Sequence, residues 1–571
     1  MKSRFTRLGL SCLFFTLAAF AVFSFRPPRF EAATKGPVPP RAPMLAGEPQ
    51  FKIEQSPLES PKGMTFYKIQ RLPVRAETVA KFQTALKLTV KPTPAENLSV
   101  LAEEKTGIAR LQTDKVRGHM ILLPNWNEVA LGKPQLVTKE NAFRLAQNFI
   151  EQNQLIVKDV SVTTPQHLVT LSRAELHQGG QAVVSDVGQT VLFQRTIAEK
   201  PVLGNGSQIV VDLGHQGSVV GFTRTWNQLS AAAIEPQFKS DQEVYAEVES
   251  QLKQRIQGQV NATAGKLHLI YYSADKEFVQ PAYFFTVQID APGVNGKSFL
   301  TGLVAAAKNT PEPIAAKAPP SVLPTEKAAA ANPIPPTNIA ADDPTVGRYV
   351  VRQDSWDWVD DANEFAQGLN DGHPSGFPAF TFGDYYWDEP AFWTTSDNSF
   401  VNRWNVTLME GHGNTWLFTT RSNCCDVVNL DSSSQPGYGN LPSSSMRFLI
   451  LKGCSIIPAP PDRSNWPDPW WRIFKGLRQA VGFRTEMYID DDISYGFAKN
   501  IAGNYRILDS WFAATNGSGS YQWERFWGSW GDQIYGYGTV VMIPGDEADG
   551  IYSTAAAPPA SSVGLSIWWQ H

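Results

Sequence analysis

Residues 404–418 read WNVTLMEGHGNTWLF, and residues 446–457 read MRFLILKGCSII. Each is a short apolar run that ends at glycine and one reactive side chain, His412 in the first and Cys454 in the second. Each run predicts a strand that ends in a tight loop. Loops at the carboxyl ends of such strands build the site crevice of open α/β folds, so neighbouring strands would bring His412 and Cys454 together. The interval of roughly forty residues suffices for a return connection between parallel strands. Cys424, Cys425 and the loop DSSSQPGYGN predict irregular structure there rather than one long helix.

The chemistry of the two residue types fits this placement. A thiol attacks as thiolate, and an adjacent imidazole both favours that form and can protonate a leaving amine. Glycine beside each residue lets backbone N–H groups approach a developing oxyanion, which makes Gly413 and the amide of Cys454 the candidate donors. A charged Lys452 beside the nucleophile would lower the thiol pKa or face water.

At these positions the sequence resembles the caspase-like cysteine peptidases, the group of legumain, gingipain, clostripain and the caspases. Their hydrophobic block ending in His-Gly corresponds to His412-Gly413, and the later block ending in a small residue and Cys corresponds to Gly453-Cys454. The resemblance implies an α/β domain over 346–571 with a mainly parallel sheet, a Cys454/His412 dyad at its C-terminal edge, and a protein or peptide substrate. The stretch from Trp470 to Asn516 resembles the helix, strand and helix that follow the cysteine in that group. The caspase signature Gln-Ala-Cys-x-Gly is absent, since Cys454 is followed by SII.

Composition divides the rest of the chain. Residues 305–345 hold mostly Ala, Pro and small polar residues, which predicts a disordered linker. Only two of the 17 tryptophans, Trp126 and Trp226, precede it, so the two sides predict different folds. From 50 to 304 an α+β module is expected, an antiparallel sheet with helices. Thr138 is positioned to cap a helix with Phe143, Ala146, Phe149 and Ile150 on one face, and Ser240 with Glu243 forms a capping box before Val244, Val248 and Leu252. Alternating runs at 190–197, 200–214, 217–226, 266–272 and 280–290 predict strands. The stretch from Val191 to Trp226 resembles the pro-regions of thermolysin-like peptidases and PepSY modules. That resemblance implies a module that folds, shields or inhibits the domain downstream, its intramolecular partner.

The first 33 residues predict an export signal. Lys2, Arg4 and Arg7 precede an apolar run over 8–25, with small-residue cleavage candidates at 19–21 and 31–33 and with Arg26 directly behind the run. Both a cleaved signal peptide and an uncleaved membrane anchor fit, and either places the protein outside the cytoplasm. Cys424, Cys425 and Cys454 are then an odd set, so one thiol stays free or pairs with another chain, and a structural disulfide from Cys454 to Cys424 or Cys425 is the alternative to a free Cys454. A net charge of −4 gives no sign of a nucleic-acid partner. No spacing calls for zinc or another cofactor. Asp490, Asp491 and Asp492 read as a solvated loop rather than a calcium site, and these acids or Arg484 could line a specificity pocket.

The expectation is therefore an exported cysteine peptidase with an N-terminal inhibitory or chaperoning module, freed by cleavage in the linker near Lys308, Lys317 or Lys327. The alternative is a non-catalytic module binding peptide or glycan, with tryptophans on its surface and a vestigial Cys/His pair.

Overall fold

The computed structural model describes residues 47–571, without 92–97, 291–296, 315–343, 351–353, 375, 386–388, 421–426, 442–444, 490, 519–535 and 554. It is a mixed α/β body dominated by sheet. In the first half, Val162–Leu176 (β1), Val183–Ile197 (β2), Ile209–Leu213 (β3) and Val219–Arg224 (β4) lie side by side, all antiparallel. Phe278–Asp290 (β5) and Lys297–Ala305 (β6) form a second antiparallel pair with Asp290 opposite Lys297. Two helices brace these strands. Thr138 caps Lys139–Gln152 (α1), its hydroxyl accepting from the Asn141 amide, and Ala142, Ala146 and Ile150 are buried. Ser240 and Glu243 make the reciprocal capping box on Asp241–Arg255 (α2), which buries Val244, Val248 and Leu252.

In the second half, Thr345–Val350 (β7), Thr381–Tyr385 (β8), Val406–Glu410 (β9), Phe448–Lys452 (β10) and Gln479–Phe483 (β11) are all parallel, in the spatial order β8-β7-β9-β10-β11. The two apolar runs that opened the sequence are thus neighbours, Val406 opposite Phe448 and Glu410 opposite Lys452. Every residue of β9 and β10 is buried, as a sheet covered on both faces requires. Gly538–Met542 (β12) and Leu565–Gln570 (β13) continue the sheet antiparallel.

The sheet then passes between the halves of the chain. β13 pairs antiparallel with β1, from Leu565 opposite Leu176 to Gln570 opposite Leu171. Sequence reading had placed neither strand, and no local pattern joins positions so far apart.

Helices Asp357–Gly372 (α3) and Asp491–Ala502 (α4) cross closely because α3 turns glycine toward α4. A Cβ on Gly368 would lie 2.4 Å from the Tyr495 carbonyl oxygen, and one on Gly372 would lie 2.1 Å from that of Lys499. Ile507–Gly517 (α5) follows.

Tryptophan builds core here. Trp358, Trp393, Trp466, Trp470, Trp511 and Trp568 are among the largest fully buried side chains. That outcome withdraws these rings from a glycan-binding face, while the QWERFWGSW stretch lies outside the described residues.

The expected linker begins bound to the body. Lys308 N–H donates to the Gln237 carbonyl at 2.7 Å, Asn309 Oδ1 accepts from Gln237 N–H, and Glu312 accepts from the amides of Glu277 and Phe278. The remainder, 315–343, lies outside the described residues, as does the export segment. Among the described residues no helix is long and apolar enough to cross a membrane.

Candidate active site

Three adjacent parallel strands deliver three polar side chains to one end of the sheet. Asp354 follows β7, His412 follows β9 and Cys454 follows β10. His412 and Asp354 are both buried at 2% exposure, and His412 Nε2 lies 2.8 Å from Asp354 Oδ2. An ionised carboxylate only accepts, so Nε2 carries the proton and Nδ1 is left as the basic nitrogen. The second carboxylate oxygen of Asp354 accepts from the Trp358 indole at 3.0 Å, and the Trp358 ring stands edge-on to His412 with centroids 5.9 Å apart. Asp354, Trp358 and His412 thus form one fixed chain in the core.

Cys454 is a free, buried thiol, so it is not bridged to Cys424 or Cys425, which lie outside the described residues. The next residue, Ser455, has φ +54°, a left-handed turn that swings the chain away directly after the sulfur. The Ser455 amide is spent on the Thr485 carbonyl at 2.9 Å. Burial, reinforced by the charge of Glu486 and opposed by a hydrogen bond from the Met487 amide, pushes the Cys454 thiol up to about 12. In this conformation the sulfur is a protonated thiol.

Gly413 packs the histidine loop onto the cysteine loop. A Cβ there would lie 2.3 Å from Ile456 Cγ1 and 2.8 Å from the Cys454 carbonyl oxygen. Gly413 pairs with Phe418 in a small antiparallel ribbon, and the flanking bond runs from Thr419 N–H to the His412 carbonyl at 3.1 Å. That flanking position marks a pair not bonded to each other, so the Gly413 N–H points out of the ribbon, as a candidate oxyanion donor requires.

Lys452 neither meets the thiol nor faces water, the two alternatives its sequence position suggested. Its side chain is 1% exposed, paired with Asp361 of α3, with Glu410 Oε1 at 3.7 Å and with Ser494 of α4. Arg484 is also committed elsewhere, to Asp462 and the Gln570 carbonyl. Of the acidic run, Asp490 and the Asp491 side chain lie outside the described residues, and Asp492 accepts from Asn205 at 3.3 Å. Among the described residues no group of three or more His, Cys, Asp or Glu could hold a metal ion.

The crevice is filled by the chain itself. Cys454 Sγ lies 3.7 Å from the Lys297 carbonyl oxygen, and Ser298 Oγ lies 3.0 Å from His412 Nδ1 and 2.9 Å from Nε2. Phe299 is 1% exposed with its ring 6.1 Å from that of Tyr488, and its carbonyl accepts from Ile489 N–H at 3.0 Å. Phe299 of β6 therefore makes one isolated parallel bridge to Tyr488. No hydrogen bond joins His412 to Cys454 among the described residues; Cys454 meets the Lys297 carbonyl oxygen and His412 the Ser298 hydroxyl instead.

Sequence reading had not singled out Asp354 or Ser298. The signal for Asp354 was present as a third apolar run before a polar loop, VGRYVVRQDSWDW, but Arg348 interrupts it. A family model described as a domain of unknown function (DUF6345) matches residues 346–533. No curated protein matches the chain.

Proposed function

We propose that the protein is a latent cysteine peptidase. On this reading 346–571 is a caspase-like domain in which Cys454 is the nucleophile, His412 the base and later the acid, and the Gly413 amide an oxyanion donor. Asp354 is a positioning residue that fixes the His412 tautomer. Residues 50–304 are the inhibitory and chaperoning module, and the N-terminal segment exports the chain, as a cleaved signal or as a membrane anchor.

The observation that carries the reading is the arrival of Asp354, His412 and Cys454 at the carboxyl ends of three adjacent parallel strands, where a site crevice belongs. The filled crevice and the thiol at about 12 make the latent state. That same inert thiol favours the rival, a binding module with a vestigial pair, so one experiment addresses both. The intact chain and a Phe299→Ala variant are treated with a peptide carrying a thiol-directed electrophile, and the modified residue is mapped. Modification of Cys454, stronger in the variant and absent from Cys454→Ala, supports the peptidase. A folded Phe299→Ala protein whose Cys454 stays unmodified, or labelling confined to Cys424 or Cys425, overturns it.

A further inference from the structure

We propose that the protein carries a second binding site, sharing no residue with the surroundings of Cys454 and His412, for a small organic molecule that bears an oxyanion and hydroxyl groups. The proposal stands independently of the peptidase reading. It rests on a polar cavity of about 430 Å³ between strands of the first half and helices α4 and α5. That volume falls within the range of roughly 300–1,000 Å³ usual for ligand pockets.

Residue choice on both walls builds the cavity. The strand Ala109–Asp114 pairs antiparallel with His119–Leu122, which pairs antiparallel with β4 on its other side. Gln112 stands opposite Ile121 and Ile121 opposite Thr223, so the three form one row across the sheet, with Asp114 and His119 in a neighbouring row on the same face. Both rows line the cavity. Facing them, the helices present almost no side chain: Gly496 of α4, and Ala513, Ala514 and Gly517 of α5. A Cβ on Gly496 would meet nothing within 4 Å. An interface that only joined sheet to helix would fill this space with apolar side chains at core density.

The polar groups around the cavity call for an acceptor and a negative charge. Gln208 lines it at 6% exposure, yet its Nε2 has no hydrogen-bond partner, and neither has the buried Oγ1 of Thr225. A buried amide N–H without an acceptor is rare in a folded protein. The three acids on the cavity already have donors. Asp275 meets Arg71, with His119 Nε2 at 3.3 Å and Asn227 Nδ2 at 2.8 Å. Asp114 accepts from the amides of Val116 and Arg117, both at 2.9 Å, and Asp492 from Asn205 at 3.3 Å. The three cations, Arg117, Lys276 and Lys499, form no ion pair among the described residues. Burial and the charge of Arg117, opposed by Asp371 and Asp114, lower the pKa of Lys499, so these two cations stand within each other's field. An oxyanion beside them would relieve that repulsion through charge-assisted hydrogen bonds, and hydroxyls on the same molecule would meet Gln208, Thr225 and the Gln112–Thr223 row.

The full-length chain is titrated calorimetrically at low ionic strength with glucuronate, glucose-1-phosphate, glucose and inorganic phosphate. At least one anionic sugar should bind about tenfold or more tighter than glucose or inorganic phosphate, and its affinity should fall as salt is added. The tighter of the two sugars tells whether the anion is a carboxylate or a phosphate. Gly496→Leu fills the cavity from its helix wall and should abolish binding with an unchanged or higher Tm, since leucine favours helix over glycine. Lys499→Met should weaken the anionic sugar by about tenfold or more and leave glucose as it was. Failure of both anionic sugars to bind at millimolar concentration overturns the proposal, as does glucose or inorganic phosphate binding as tightly as they do. A folded Gly496→Leu or Lys499→Met protein that binds the anionic sugar like the wild type overturns it as well.

Discussion

Phe299→Ala should unlock Cys454, and the size of the effect can be worked from the packing. Phe299 is 1% exposed and meets Tyr488 edge-on, so it is a core side chain by burial. Truncating such a phenylalanine costs about 3–5 kcal/mol, of which edge-to-face contact supplies roughly 1. Part of that cost falls on the β5–β6 pair and not on the docking of 297–299 into the crevice. If about half falls on docking, the loss is about 2 kcal/mol, which raises the open population roughly 30-fold at about 1.4 kcal/mol per tenfold. Iodoacetamide reaches Cys454 only in the open state, where the sulfur meets water and is relieved of the burial that pushes its pKa up. Alkylation by iodoacetamide, followed by intact mass under conditions where reclosing outruns reaction, reads that population directly. The rate at Cys454 should rise by about the same 30-fold, and Phe299→Leu should rise less because most of the apolar volume remains. A folded Phe299→Ala protein with an unchanged Cys454 rate would refute the idea that 297–299 controls access.

Asp354→Asn should lower turnover of any released form by a factor on the order of a hundred or more, since an amide can present N–H to His412 and select the wrong tautomer; a shifted pH–rate profile would separate this from simple loss of fold. Gly413→Ala should displace the histidine loop, because its Cβ would meet Ile456 at 2.3 Å, and adding Ile456→Ala should restore part of the lost activity by removing that obstacle. Arg255→Met should destabilise the protein by about 3 kcal/mol in chemical denaturation, since it strands the buried Asp357 carboxylate that Arg255 meets at 3.1–3.2 Å. Stability should also fall as pH rises from 5 to 8. Burial, opposed by the Thr190 hydroxyl, lifts Asp212 to about 6. Burial opposed by Arg506 lifts Asp509 to about 7, and burial with the charge of Asp549 lifts Asp546 to about 7. A carboxyl with a raised folded pKa contributes stability that is full below its unfolded value near 3.8 and is lost as pH climbs through the folded value. Glu103 works in the opposite sense. Burial alone would raise its pKa, but Arg506 and Arg110 hold it at about 2, so its contribution is lost only in acid. Thermal melts should therefore give a higher Tm at pH 5 than at pH 8, and Asp509→Asn should flatten the slope.

Elements whose cause is local were legible in the sequence. The caps at Thr138 and Ser240 act within one turn, so their residues announce the helices behind them. The strands before His412 and Cys454 were legible because both are buried on each face and carry no compensating charge until their last residue. β7 escaped notice for the opposite reason. It is buried along its whole length yet contains Arg348, whose guanidinium meets Asp384, the Ala362 carbonyl and Asn363 inside the protein. A charge paired in the core looks, in sequence, like a charge in water, and Asp354 beyond it went unread. Ser298 escaped because its role depends on a contact with His412, 114 positions away, which no local pattern encodes.

The joined sheet also changes how release would have to work. A module tethered only by residues 305–345 would diffuse away once the tether was cut, but the halves are held at places the linker does not touch. β13 and β1 share a six-residue ladder, Arg255 of α2 reaches both Asp357 and the Thr301 carbonyl, and Glu103 accepts from Arg506 at 2.6 Å. Cleavage at Lys317 or Lys327 leaves all of these intact, and a fragment starting at 346 would expose the β13 edge and lose Arg255. Such a fragment would also lose part of its own site. The Gln257 amide donates to the Asp354 carbonyl at 2.9 Å, and Ile256 bridges to Ser355, so the first half of the chain holds the loop whose carboxylate orients His412. The same half therefore builds the site and blocks it, through different residues: 255–257 support Asp354, and 297–299 cover Cys454. Activation that kept the first function and removed the second would have to act at the start of β6, undocking 297–299 while leaving 255–257 in place.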